Sequence, residues 1–514
     1  MTGDNASARR WGALALVLVL ALAAATIGGH GRANSAQSTL TWKACGGGFD
    51  CTTVTVPVDY ASPGADTLDL AVVRRKARDP AKRIGVLLMD PGGPGGSAVG
   101  YVRAVAPRLG AEVRDRFDII GFDPRGVGES SPIVCHDNLQ TLFGLDGDPD
   151  DAGEWAAIDS AARTFADGCA RKYASLLPHI GTRNVARDMD QVRAALGEQQ
   201  ITYVGLSYGT TIGAVYADMF PDRVRAMVLD GAYDFYSVSG EEGLRLQSAA
   251  FERALDAYLA DCRATKCPLA NGGADPRLTL DDLLARIDAH PLPSRSADRP
   301  ARIGEAETAL TMALYNQSFW GNLSSALERA LAGDGSLLVL LADAYLDREG
   351  DDYSNQTEIY VGVSCLDYAW PRSLAEFQAL APRHRAASPH FGVANLLTSA
   401  LACAYWSAPS QPLTAPVAAA APPIVVVATT NDPATPYDQG VAVSKQLRTG
   451  ILLTHVGEGH TVYGNGNPCV DRTVNAYLTQ LKTFAAGSIC TDDISALLPP
   501  LLQRAFVPQV RREP

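Results

Sequence analysis

The stretch Ile201-Thr202-Tyr203-Val204-Gly205-Leu206-Ser207-Tyr208-Gly209-Thr210 decides the fold. Ile201 to Leu206 is a β-branched and apolar run that reads as a strand. Thr210 to Met219 has the small-residue and apolar spacing of a helix packed on a sheet. Between them stands Gly205-Leu206-Ser207-Tyr208-Gly209. Gly-x-Ser-x-Gly at a strand-to-helix junction makes a sharp turn whose flanking positions must be small, and it holds a serine hydroxyl above the sheet at a helix N-terminus. The five-residue pattern is weak alone, and its strand and helix context carries the reading.

Working outward, further runs bounded by turn residues read as strands: Thr53 to Val56, Leu68 to Val73, Ile84 to Met89, Asp118 to Phe122 and Val224 to Leu229. Glu154 to Tyr173 and Arg183 to Leu196 read as helices. Alternating strands and helices imply an α/β fold with a mostly parallel sheet and helices on both faces. Val86-Leu87-Leu88 and Ile424-Val425-Val426-Val427 are continuous apolar runs, as expected of strands buried on both sides. The rhythm changes after Tyr236. From Ser239 to Pro409 the helix-like spacings of Ala249 to Leu259, Leu278 to Ile287, Glu305 to Leu314 and Leu323 to Leu331 replace it. Strands return at Pro422 to Ala428 and Gly450 to Val456, after the Ala/Pro-rich Pro412 to Pro423. The expected plan is an export signal over residues 1–36, a first core part over 37–238, a mainly helical cap over 239–409 and a C-terminal core part over 410–514.

A serine hydroxyl needs a base within hydrogen-bond reach, and the base needs an orienting acid. At this kind of elbow the chain order is Ser, then Asp or Glu, then His. Asp432 follows one late strand and His460 follows the next, in that order. The rivals fit less well. His455 lies within a strand, His384 and His390 precede the acid, His290 lies in the insertion, and Asp438 reads as a solvated helix residue. Charge that develops on a carbonyl oxygen needs two backbone N–H donors. Tyr208 supplies one, and Gly93 in Asp90-Pro91-Gly92-Gly93-Pro94-Gly95-Gly96-Ser97 is the expected second. That loop lacks the lysine and spacing of a phosphate-binding loop.

Composition bounds the remainder. Apolar residues make up 47% and charged residues 19% of the 514-residue chain, an ordinary globular balance. The net charge of −12 argues against nucleic acid or an anionic membrane surface as partner. Arg9-Arg10, the apolar run Trp11 to Ile27 and the small polar stretch Gly28 to Ser38, with Ala33 and Ala36 as cleavage points, have the architecture of an export signal. The apolar run is near the lower length limit of a membrane span, so an uncleaved anchor is the competing reading. No cysteine closely follows it, which argues against a lipid anchor, and no later segment is long and apolar enough to span a membrane. The ten cysteines all lie beyond the signal, and an even count in an exported chain suggests disulfides. Five sequential pairs are expected: Cys45–Cys51, Cys135–Cys169, Cys262–Cys267, Cys365–Cys403 and Cys469–Cys490. Sequence does not exclude other connectivities. Zinc-ligand spacing is absent, and no metal or organic cofactor is expected.

Four segments together resemble secreted bacterial tripeptidyl aminopeptidases of the proline-iminopeptidase-like group of α/β-hydrolases. They are the Asp90 to Ser97 loop, Gly121-Phe122-Asp123-Pro124-Arg125-Gly126-Val127-Gly128, the Ser207 elbow and the Asp432/His460 region. The helical insertion and cysteine-bearing tail match as well. Two positions depart: Asp90, where many relatives carry Asn or His, and Thr461, where Gly is expected after the histidine. The resemblance implies an α/β-hydrolase fold with a helical cap insertion. It also implies a peptide substrate with a free N-terminus, from which short peptides or single residues are removed. Cap carboxylates would meet the substrate ammonium, with Glu241, Glu242, Glu358 and Asp367 as candidates and Asp367 favoured by its nearness to Cys365. The same Ser-His-Asp set would serve carboxylic esters, and a third reading is a non-catalytic binding protein on the same fold. Sequence leaves the oligomeric state open.

Overall fold

The computed structural model describes residues 40–136, 139–234, 239–296 and 298–492. The expected export signal and its cleavage points lie outside the described residues. Among the described residues, twelve strands run in chain order: β1 Lys43–Ala44, β2 Asp50–Pro57, β3 Thr67–Arg75, β4 Gly85–Asp90, β5 Phe117–Phe122, β6 Ile201–Leu206, β7 Val224–Asp230, β8 Arg348–Glu349, β9 Asp352–Tyr353, β10 Ile424–Asn431, β11 Gly450–Glu458 and β12 Ser488–Thr491. Ten form one sheet in the order β1-β2-β3-β5-β4-β6-β7-β10-β11-β12, while β8 and β9 pair as a separate hairpin. The first three strands are antiparallel, and from β5 to β12 every neighbouring pair is parallel. This is the α/β-hydrolase architecture expected from the sequence.

The continuous apolar runs have a simple cause. Successive side chains of a strand point to opposite faces. Ile424 and Val426 of β10 belong to the same buried cluster as Phe165, Met189 and Ile212 from helices on one face. Val425 and Val427 belong to a second cluster, with Val102, Val474 and Tyr477 from helices on the other. Between β7 and β10 the chain is helical from Gly240 to Ala404, apart from the small β8–β9 hairpin and short connections. Phe251, Leu255, Leu280, Leu310 and Leu323 give this insertion its own core. The Pro412 to Pro423 stretch returns as irregular chain to β10. The structure pairs the ten cysteines as Cys45–Cys51, Cys135–Cys169, Cys262–Cys267, Cys365–Cys403 and Cys469–Cys490. Among the described residues, no helix is long and apolar enough to cross a membrane.

One buried ion pair ties the antiparallel end of the sheet to the helices. Arg125, just after β5, meets Asp188 of helix Thr182–Ala195 through two hydrogen bonds of 2.6 Å, with both side chains wholly buried. Its remaining N–H groups donate to the carbonyls of Pro57, Val58 and His179, and Tyr60 donates to Asp188. Removing one partner of such a pair strands a buried charge, which costs about 3–5 kcal/mol. Arg125→Met is therefore expected to lower the urea unfolding midpoint by that equivalent, and Arg125→Met/Asp188→Leu to recover most of it. An unchanged midpoint in the single variant contradicts this account.

Candidate active site

The site forms where β4, β6, β7, β10 and β11 end. Ser207 follows β6 with φ 53° and ψ −126°, a left-handed backbone conformation that an L-residue holds only when its surroundings enforce it. Helix Tyr208–Met219 starts immediately after it. The turn closes because its flanks are bare. A Cβ on Gly205 would lie 2.3 Å from the Gly209 carbonyl oxygen, and one on Gly209 would lie 2.7 Å from that of Asp90. The Ser207 N–H donates to the Asp230 carbonyl at the end of β7, 2.9 Å away.

The glycine-rich loop after β4 packs directly on this elbow. A Cβ on Gly92 would stand 2.7 Å from the Tyr208 nitrogen, so only glycine permits the approach. Ser97 caps helix Ala98–Val105 and donates to Asp123 after β5, which also accepts from the Val99 N–H. Inside the loop the Gly92 N–H donates to Asp90 Oδ1. Burial pushes the Asp90 carboxyl up to about 7. Gly93 and Tyr208 line the same pocket as Ser207.

His460 and Asp432 meet on the other side. His460 Nδ1 lies 2.9 Å from each Asp432 oxygen. Asp432 is nearly fully buried and also accepts from the Ala434 and Thr435 N–H groups and from the Thr435 hydroxyl. The His460 N–H donates to the carbonyl of Tyr315 in the insertion, and the two rings meet edge to face at 5.5 Å. His460 Nε2 is buried without a hydrogen-bond partner among the described residues. Gly231, just after β7, packs closely on the ring, since a Cβ there would stand 3.0 Å from His460 Cε1. No hydrogen bond joins Nε2 to Ser207 here, and such contacts commonly tighten once substrate is bound.

Above Ser207 lies a pocket lined by both the core and the insertion. Core residues Pro94 and Tyr233 and insertion residues Leu244, Tyr360, Val363 and Trp370 make it largely apolar. Among the described residues, Asp367 is the one carboxylate lining it. It accepts from the Thr182 hydroxyl and N–H, and that hydroxyl also contacts the Tyr208 hydroxyl at 2.6 Å. Burial lifts the Asp367 carboxyl to about 7. The other three sequence candidates do not line the pocket. Glu241 meets His384 and Arg383, and Glu242 meets Arg245 and Arg383. Glu358 is buried against the backbone of Cys135 and His136. His390 sits between Glu252 and Asp281, His455 between Thr429 and Asp492, and Asp438 is exposed in its helix's first turn. Asp146, Glu154 and Asp288 could together hold a cation, but they do not line this pocket. Asp230, Tyr315 and Thr182 were not candidates in the sequence.

A family model described as the alpha/beta hydrolase fold matches residues 85–466. Serine protease Hip1 of Mycobacterium tuberculosis is 37% identical over 513 residues, covering 93% of this chain and 97% of that protein. Carboxylesterase B of the same organism is 40% identical over 443 residues, covering 83% of each. Tripeptidyl aminopeptidase of Streptomyces lividans is 32% identical over 483 residues, covering 89% of this chain and 88% of that protein.

Burial pulls the His460 pKa down, but the charge and hydrogen bond of Asp432 and the charge of Asp230 outweigh it. The net shift is upward from the ordinary 6.5. An NMR titration of His460 is expected to give a midpoint above 6.5, and Asp432→Asn a lower one. A midpoint that Asp432→Asn leaves in place contradicts the pairing.

Proposed function

Since the chain belongs to the α/β-hydrolase fold family, we propose that this serine hydrolase is an exported exopeptidase that releases short peptides, tripeptides or smaller, from free N-termini. Ser207 is the nucleophile, His460 the base and Asp432 its orienting acid. The observation that carries this is the buried Asp432–His460 pair beside the strained Ser207, beneath a pocket lined by the Asp367 carboxylate.

His460 removes the Ser207 proton as the hydroxyl oxygen attacks the scissile carbonyl. Asp432 holds the ring and stabilises the imidazolium. The Gly93 and Tyr208 N–H groups receive the oxyanion. His460 then protonates the leaving amine, and water hydrolyses the acyl-enzyme. No metal or organic cofactor enters these steps. The helical insertion over 239–409 acts as the cap that closes the acyl side. Asp367 meets the substrate ammonium. Its oxygens accept from Thr182 and keep lone pairs for another donor, since a carboxylate offers about four acceptor sites. The aminopeptidase relative supports the exopeptidase reading, and the disulfides support an oxidising extracellular or envelope location. A second reading, hydrolysis of carboxylic esters, has its own support in the relative named as a carboxylesterase.

Aminoacyl, dipeptidyl and tripeptidyl anilides assayed beside short and long acyl esters separate these readings. Turnover of free-amine anilides is expected, and activity confined to long acyl esters contradicts the peptidase reading. Ser207→Ala should lose at least about 10⁴-fold in kcat, as removal of a triad nucleophile does elsewhere. Asp367→Asn should raise KM for free-amine peptides roughly tenfold, on the scale of a hydrogen bond to a charged group, and leave KM for a small ester unchanged. An equal loss on both substrates removes the ammonium role.

A further inference from the structure

The end of β7 carries a carboxylate that the steps above do not use. Asp230 is completely buried. Its place is set by the sheet, where it pairs with Leu206 of β6 on one side and Val427 of β10 on the other. Its main-chain carbonyl accepts the Ser207 N–H at 2.9 Å. Its side chain reaches the loop that carries His460, where Oδ2 accepts the Val462 N–H at 2.9 Å and the Tyr463 N–H at 2.7 Å. The other oxygen, Oδ1, is buried without a hydrogen-bond partner among the described residues.

The loop pays for this grip in backbone strain. Thr461, between His460 and the two donors, has φ 59°. That conformation is a genuine outlier for a β-branched residue. It turns successive N–H groups toward one anion, the arrangement that favours a negative charge. Two N–H donors on a single oxygen suit an ionised carboxylate.

We infer that Asp230 is a positioning residue that sets the distance between Ser207 and His460, holding one through its main chain and the other's loop through its side chain. This rests on the reading of Ser207, His460 and Asp432 as a triad. The charge of Asp230 also bears on the imidazole. The groups facing Asp230 are His460 and Asp432 from the loops after β11 and β10, and Tyr101 from the helix after the glycine-rich loop. His460 in turn faces Asp432, Asp230 and the Tyr315 ring. Burial raises the Asp230 carboxyl to about 6, against the pull of the two N–H groups, so above that pH it is the anion and favours protonated His460.

The test is the acylation rate with p-nitrophenyl acetate, followed against pH in wild type, Asp230→Asn, Asp230→Glu and Ser207→Ala. Asp230→Asn keeps an acceptor oxygen and removes the charge. It should acylate at least about tenfold more slowly, with the acid limb moved to lower pH because His460 loses an anionic neighbour. Asp230→Glu keeps the charge and displaces the oxygens, so its rate should fall with a smaller movement of the limb. A merely structural role would lower the rate without moving the limb. Folded Asp230→Asn with a wild-type rate or an unmoved limb overturns the proposal. If Asp230→Asn is recovered unfolded, a wild-type rate in Asp230→Glu overturns it instead. A wild type that acylates no faster than Ser207→Ala sinks the triad reading, and this one with it. A normal wild type with unaltered Asp230 variants sinks only the role of Asp230.

Discussion

The left-handed backbone of Ser207 is the constraint on which the site depends. A serine held at φ 53° needs neighbours that leave no room to relax. Three surfaces supply them. Gly205 and Gly209 bring strand and helix backbones into contact, Gly92 lets the β4 loop lie against the Tyr208 nitrogen, and the Asp230 carbonyl fixes the Ser207 N–H. Each comes from the centre of the parallel sheet, where β6 lies between β4 and β7. The glycine loop is itself held from β5 by Asp123, and Arg125 two residues later anchors that turn to Asp188. Strain at one residue is thus distributed over several buried interactions.

Much of this was legible in the sequence. The strand runs could be read because burial on both faces removes polar alternation, as in Ile424 to Val427. The order of Ser207, Asp432 and His460 followed from where late strands end. The insertion was legible only as a change of period. Helix Leu374–Ala387 was missed because it carries Pro382 internally, and Gln356–Asp367 because its apolar spacing is continuous rather than one-sided.

The acidic candidates show why the remainder was hidden. Glu358 and Asp367 share helix Gln356–Asp367, nine residues apart. At about 100° per residue that spacing places them on opposite faces, and only one can reach the pocket. Glu241 and Glu242 are taken up by basic partners more than 130 residues away in the chain, His384 and Arg383. Asp230 and Tyr315 touch the His460 loop through contacts that span well over 100 residues, which no local pattern reveals. The division of labour follows. The sheet positions Ser207, Asp432 and His460, and the insertion supplies most of the pocket wall and, through Tyr315, one contact to the His460 ring.

The central claim is that Ser207 is a nucleophile activated by the Asp432–His460 pair. A fluorophosphonate reacted with the folded chain and located by peptide mass spectrometry tests it most directly. The account predicts one adduct, on Ser207, that does not form when the chain is denatured before labelling and forms far more slowly in His460→Ala. Folded protein left unlabelled, or labelled at His460→Ala rates in the wild type, would contradict it.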